Sequence, residues 1–364
     1  MASCELVCAN DEVVPYQYSG MLNSAAQPHG RGTMVYGPGH RFEGRFCNGD
    51  KEGKGCFYFE DGSMLEGHYV SNNLEGIGRY TFSDGSYIVG CFKSGELNGP
   101  AKHYDYAGLI TFEGQYQDNI KFGLCWHFDE FGGSIVGLVD DDGEFTGDEI
   151  AYLYPDQETV LYGSFEEGRM VCAKAASFQG VRNNRLIIEN LDTGEEKYSF
   201  DESTDDVITV NPLLSDPYEQ KRVYVAKSLI PGAGEGLFSK IFAEKDQVMS
   251  FYNGIRITHQ EVDDRSWIFN DNTISLDETT VIDVPVNSAN VNNYCASLGH
   301  KANHSFTPNC KYDLYYHPRF GNIKCIRSIS DVAPNEELTV DYGYTTNNGL
   351  LEAPDWYKAI LKHA

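Results

Sequence analysis

The sequence predicts a mainly β chain: a long antiparallel sheet of stacked hairpins, a second β-rich domain behind it, and a short C-terminal helix. Three observations predict this. Glycine recurs at a near-constant period between aromatic or apolar residues over 42–165, and Gly-containing turn dipeptides fall inside the period. The second half reads as short alternating strands broken by Gly and Pro, ending in "APDWYKAILKHA" (353–364).

Residues 1–20 are expected to be an N-terminal tail. Their acidic residues stand where a secretory signal would carry basic ones, and no stretch of the chain reaches the roughly 18 apolar residues needed to cross a bilayer. The hairpin sheet is expected over 21–170. "FEGRF" (42–46), "LEGHY" (65–69), "IVGCF" (88–92), "FEGQY" (112–116), "IVGLV" (135–139) and "LYGSF" (161–165) place Gly44, Gly67, Gly90, Gly114, Gly137 and Gly163 at intervals of 23, 23, 24, 23 and 26 residues. Asp61-Gly62, Asp84-Gly85 and Ala107-Gly108 supply the turns between the two strands of a unit. A single hairpin cannot bury its aromatic face, so the units must stack. The unit resembles the MORN repeat. Its glycines and aromatics serve turns and packing, so this half is expected to be a platform without catalytic residues. The acidic stretch 171–217 is expected to connect it to a second domain over 218–346, followed by a tail helix over 347–364.

Ten cysteines scattered from Cys4 to Cys325, with no Cys-x-x-Cys pair, argue for reduced, mostly buried thiols and against a zinc site; no metal is expected. The net charge of -26 is concentrated in residues 1–220, with 37 acidic against 14 basic, whereas residues 221–364 hold 17 against 14. Such a field disfavours direct nucleic-acid binding and favours basic protein partners.

Chemistry is sought in the second domain. "PGAGEGLFSK" (231–240) fails the dinucleotide fingerprint, which needs Gly where Leu237 stands, but it permits close backbone approach to a ligand. In "SFYNGIRIT" (250–258), Tyr252 precedes an Asn-Gly turn. "NEELTVDYGYTT" (335–346) ends a strand in Tyr342 and Tyr344. "ANHSFTPNCKYD" (302–313) holds the only Asn-x-Ser/Thr sequon, which lacks a secretory route, and a His/Cys pair at a spacing no known triad requires.

In this order, "AGEGLF" (233–238), "FYNG" (251–254), "NHSFTPNC" (303–310) and "EELTVDYGY" (336–344) resemble the SET-domain protein lysine methyltransferases, over about residues 221–346. Placed behind MORN repeats, they resemble the subgroup that monomethylates lysine 4 of histone H3 and lysines of non-histone proteins. The resemblance implies a pseudoknotted β-rich fold and S-adenosylmethionine as methyl donor. It implies that Ala233, Gly234 and Glu235 lie against the cofactor, that Asn303 and His304 hold its amino-acid end and adenine, and that Asn272, Lys301 and Trp356 lie near it. Tyr252, Tyr312 and Tyr342 would line the lysine channel, with His304 counted among the catalytic residues. Asp263, Asp264, Trp267 and Tyr344 would face the substrate peptide. The tail helix would close the site in place of the zinc modules of other members.

The chemistry needs this kind of site. Methyl transfer to an amine requires collinear reactants and a lysine stripped of its proton and water, and burial beside a sulfonium lowers the lysine from its usual pKa of about 10.4. Tyrosine hydroxyls that bond the amine restrict its rotation, which suggests a channel that stops after one methyl. A histone H3 tail or another basic segment is the expected substrate, and the protein is expected to be a nuclear monomer with a share in the cytoplasm. The rival is an idle scaffold that recruits basic partners. An idle domain has no reason to keep three channel tyrosines and the Asn-His pair.

Overall fold

The structure, a computed structural model, describes residues 2–7, 13–37 and 39–343. It divides into two compact units, one of residues 1–130, 134–150 and 181–186, the other of 131–133, 151–180 and 187–364.

The first unit is the sheet of hairpins. Strands Ala2–Val7, Val13–Leu22, Pro28–Tyr36, His40–Cys47, Asp50–Tyr58, Met64–Val70, Asn73–Thr81, Tyr87–Lys93, Glu96–Tyr104, Ile110–Gln117, Ile120–Phe128 and Ser134–Leu138 follow one another in chain order as antiparallel neighbours. The glycine period has a steric origin. Gly20, Gly32, Gly44, Gly55 and Gly67 stand opposite one another across successive strands, as do Gly78 and Gly90. The row lets large side chains of the buried face lie flat across the strands. A Cβ on Gly55 would come within 2.1 Å of the Phe42 ring, and one on Gly67 within 2.7 Å of Leu74. Phe42 is thereby fully buried, edge-on to Phe46 and Tyr69 at 5.3 and 4.9 Å. Burying one such ring contributes about 2 kcal/mol, which repays glycine's entropic cost in a strand.

Two kinds of turn alternate. Gly62, Gly85 and Gly108 take φ of +88°, +91° and +85° after type I turns, and Asp61 and Asp84 tie each loop by accepting the backbone N–H and hydroxyl of Ser63 and Ser86. The tighter reversals at Asn48-Gly49, Ser71-Asn72, Ser94-Gly95 and Asp118-Asn119 have positive φ at both residues, as a type I′ turn demands.

Three expectations need correction. The segment 1–20 is no bare tail, because it carries Ala2–Val7 and most of Val13–Leu22, paired antiparallel. The region 171–217 opens inside the 14-residue strand Arg169–Arg182. Its alternation Ala173, Ala175, Ser177 is composed of small residues, too faint a period to read as a strand. The thiols are free but not mostly buried: among the described cysteines only Cys125, Cys310 and Cys325 are buried.

The second unit holds three small sheets. One orders Val223–Lys227, Glu235–Ser239, Glu337–Val340 and Asn303–His304, another Val248–Tyr252, Gly321–Ser328 and Cys310–His317, and the third Ile255–Thr258, Thr280–Asp283 and Thr273–Ser275. The first two share a core that includes Val223, Leu237, Met249, Ala302, Cys310, Ile326, Leu338 and Val340. Asn253-Gly254 is not the hairpin turn the dipeptide suggests. Neither residue has positive φ, and the flanking strands belong to different sheets. The Asn253 side chain is buried and accepts from the Ser203 hydroxyl at 3.0 Å, so this Asn ties down a crossing between sheets. No helix among the described residues is long and apolar enough to cross a membrane.

Candidate active site

Asn303–His304 forms a two-residue strand parallel to Glu337–Val340, with Asn303 opposite Thr339 and His304 opposite Val340. This pairing brings the Asn-His pair against the Glu-Leu-Thr-Val run that carries Tyr342. His304 Nδ1 accepts the Tyr342 backbone N–H at 3.1 Å, so the ring proton belongs on Nε2. Asp341 lies 3.7 Å from the same nitrogen. With that nitrogen accepting, the contact is not an ion pair, and burial holds the imidazole below its usual pKa in the neutral form.

Asn303 donates its side-chain N–H to the Glu235 carbonyl at 2.9 Å and to Glu337 Oε1 at 3.0 Å. Glu337 in turn accepts from the Ser228 hydroxyl at 2.6 Å and from Leu229 N at 2.8 Å. The glycines of the 231–240 loop have separate reasons. Gly234 has φ of +75° and open space where a side chain would project, whereas a Cβ on Gly236 would sit 2.3 Å from Glu337 Oε1. Ala233 donates its backbone N–H to the Ile230 carbonyl at 3.2 Å, and Lys301 reaches Glu235 at 2.6 Å. From the sheet edge formed by Asn303–His304, Asn303 and the nearby Lys301 thus reach across to Glu235, which Ala233 and Gly234 immediately precede. Bare backbone at Gly234, an amide whose Oδ1 makes no bond among the described residues, and a carboxylate at Glu235 suit a ligand with an amino-acid end.

The tyrosines meet beside this edge. A cavity of about 280 Å³ is lined by Tyr252, Asn270, Asp271, Thr273, Ile274, Ser275, His300, Tyr312, Asp341 and Tyr342. The Tyr252 and Tyr312 rings lie 5.9 Å apart at 75°, and Tyr312 and Tyr342 stack at 6.4 Å. The Tyr342 hydroxyl donates to the Ala302 carbonyl at 2.7 Å, which fixes its ring. Burial keeps the Tyr252 hydroxyl protonated far above neutral pH and pushes His300 down to about 3, so both wall groups are uncharged. Asp271 and Asp341 are the carboxylates of the lining, and burial raises Asp271 above the usual carboxylate range.

Other expected residues fall elsewhere. Asn272 accepts from Val284 N through its backbone carbonyl, and its side chain does not line the cavity. Asp263 and Asp264 are exposed on the helix His259–Asp264, with Asp264 bonded to Gln260 at 2.9 Å. Trp267 begins the short helix Trp267–Phe269. Tyr344, Trp356 and the tail 347–364 lie outside the described residues. Reading by motif missed His300, Asn270, Asp271, Thr273, Ser275, Asp341 and Glu337. Of these only Glu337 and Asp341 fall within quoted motifs. Cys310, the conspicuous thiol, is buried and pushed up to about 12 by burial, which makes it inert.

The chain is 48% identical over 271 residues to the histone-lysine N-methyltransferase SETD7 of Halocynthia roretzi, covering 72% of this chain and 70% of that one. The chain belongs to the SETD7 family. Family profiles match as SET domain over 234–343, as MORN repeats over 25–41, 42–64 and 66–87, and as the SET7 N-terminal region of the histone H3 K4-specific methyltransferase over 116–189. A solved histone methyltransferase structure from Plasmodium falciparum is 17% identical over 35% of this chain and 96% of its own, with a TM-score of 0.26. As a SET-domain lysine methyltransferase of the SETD7 family, the chain uses S-adenosylmethionine as methyl donor. Among the described residues, no group of three or more His, Cys, Asp or Glu side chains could hold a metal ion.

Proposed function

We propose that this SETD7-family chain transfers one methyl group to the side-chain amine of a lysine in a basic protein segment, with lysine 4 of histone H3 and lysines of non-histone proteins as its targets. The supporting observation is the convergence of Tyr252, Tyr312 and Tyr342 on one cavity beside the Asn303–His304 edge. S-adenosylmethionine supplies an electrophilic methyl on a sulfonium. Gly234 backbone, Glu235, Asn303 and His304 would hold it, with Lys301 fixing Glu235.

The chain's own groups then have distinct tasks. The carboxylates of Asp271 and Asp341 attract the incoming ammonium to the cavity. Neutral Tyr252 and His300 give it no counter-charge deeper in, so the ammonium passes its proton to solvent water at the cavity mouth as it is buried. Tyr342, held by Ala302, accepts an N–H of the amine and aims its lone pair. Three aromatic walls exclude water and leave little room for an already methylated nitrogen to rotate, which limits the product to one methyl.

The protein is assigned to chromatin in the nucleus, with a share in the cytoplasm, as a monomer without direct nucleic-acid contacts. The test is incubation with labelled S-adenosylmethionine and an H3 tail peptide, followed by mass spectrometry. A single methyl on lysine 4 is expected. Absence of methylation on any basic peptide sinks the enzyme reading, and a trimethylated product sinks the account of the tyrosines.

A further inference from the structure

Two hollows on neighbouring strands of one face of the hairpin sheet make a trough whose two ends differ in chemistry. Its floor is the glycine row seen from the side opposite the buried aromatics. Its walls are the residues flanking each glycine, which project away from the core. Near the first strands the lining is Arg31, Arg45, Lys54 and His68 with Thr33, Cys56 and Glu43, around a space of about 880 Å³. Arg31 lies opposite Arg45, and Lys54 opposite His68, so the four cationic or protonatable groups form one rank across four strands. Among the described residues no carboxylate pairs with Arg31, Arg45 or Lys54, and the lone lining acid, Glu43, is taken by Arg41 at 2.8 Å. A rank of unpaired cations is unexpected in a chain of net charge -26.

Along the same rank the character reverses. Ile77 lies opposite Cys91 and Pro100 opposite Gln115, and with Phe122, Leu124 and Trp126 they line a second space of about 520 Å³, in which the charged residues, Lys102 and Glu113, pair with each other at 3.0 Å. Ile77 is 75% and Phe122 58% exposed, a surplus of apolar surface that a sheet face in water does not need. Eight inter-strand steps of about 4.8 Å separate the ends, so the trough is about 38 Å long, the reach of about eleven extended residues.

We propose that this trough is a peptide-binding site for an extended segment of another protein, acidic at one end and rich in large apolar residues at the other. Charge complementarity selects the acidic half, and the exposed Ile77 and Phe122 select the apolar half. A bare glycine floor lets the peptide backbone lie close to the sheet. A polynucleotide would leave the apolar end unused. The site is independent of the methyl-transfer reading.

The test uses the full chain and fluorescence anisotropy with fluorescein-labelled peptides of about twelve residues: a Glu-rich half joined to a Leu/Phe half, in both chain orders, and a Lys-for-Glu analogue. One order should bind and the analogue should not. Arg45→Glu and Lys54→Glu should each weaken binding about tenfold, the loss of one charge-assisted contact, and added salt should weaken the wild type. Phe122→Ser should weaken binding with no change in the salt dependence. The substituted side chains are exposed, and unchanged melting temperatures would show the sheet intact. Failure of both orders to bind, equal binding of the Lys analogue, or indifference to the charge reversals overturns the proposal. So does binding to phosphatidylserine vesicles that the peptides do not displace, which would make the trough a membrane surface.

Discussion

Replacing Glu219 by Gln should flatten the alkaline limb of the stability profile. Glu219 sits on the helix Pro217–Arg222, 1% exposed, and one carboxyl oxygen accepts from Phe251 N at 2.9 Å, Leu298 N at 3.0 Å and the Ser250 hydroxyl. Those bonds clip together the strand that ends in Tyr252 and the segment that leads to His300. Burial is the largest effect on the acid, followed by the hydrogen bond from Ser250, which opposes it, and by repulsion from Asp216. The net result raises the carboxyl from 4.5 to about 8. A raised carboxyl binds its proton more tightly in the folded state, so its contribution is full below pH 4.5 and is lost as pH rises through about 8. At about 1.36 kcal/mol per pH unit, a gap of about 3.5 units makes the loss on the order of 5 kcal/mol. Gln keeps the acceptor oxygen and removes the titration. Urea unfolding midpoints from pH 5 to pH 9 should fall for the wild type and stay nearly level for the variant. Parallel curves would refute the reasoning, because they would show Glu219 already ionised in the fold at neutral pH.

The acid limb should depend on His300, held at about 3 against an ordinary 6.5 by burial. Its neutral form contributes stability that is lost as pH falls from 6.5 toward 3, so His300→Asn should lessen the loss seen in unfolding midpoints over that window. Gly236→Ala drives a methyl into Glu337 and to 3.2 Å from Asn303 Nδ2; it should cost about 1–3 kcal/mol in stability and weaken S-adenosylmethionine binding by calorimetry. Tyr342→Phe loses the bond to the Ala302 carbonyl and the acceptor for the amine, so kcat should fall by about tenfold or more with little change in melting temperature. Tyr252→Phe removes a wall hydroxyl and should let a second methyl appear by mass spectrometry.

The site was legible in the sequence where the chemistry is carried by a short string. The order Gly-x-Gly, Tyr-x-Gly, Asn-His and Asp-Tyr-Gly-Tyr marked Gly234, Tyr252, Asn303, His304 and Tyr342, and the structure gathers all five in the second unit. It was illegible where a residue matters through a partner far along the chain. His300 is one histidine among ten until its burial beside Tyr252 is seen, and Glu219 lies in a short helix whose role depends on a strand about 30 residues away and a loop about 80 residues away. The Asn253-Gly254 dipeptide misled for the same reason, since a side chain buried against Ser203 overrides the local turn preference.

By itself the sequence determined the hairpin sheet, because a glycine every 23 residues is a steric requirement of rings lying flat across strands and leaves its period in the chain. It also determined the chemical class of the second half through its motifs. Only the tertiary structure decided that Asp271, Asp341 and His300 share the tyrosine cavity, that Gly236 is reserved for Glu337, and that one face of the sheet carries a rank of unpaired cations leading to exposed apolar residues. Those facts depend on register between strands, and register is set by where buried faces meet across the whole sheet, which no local window of sequence contains.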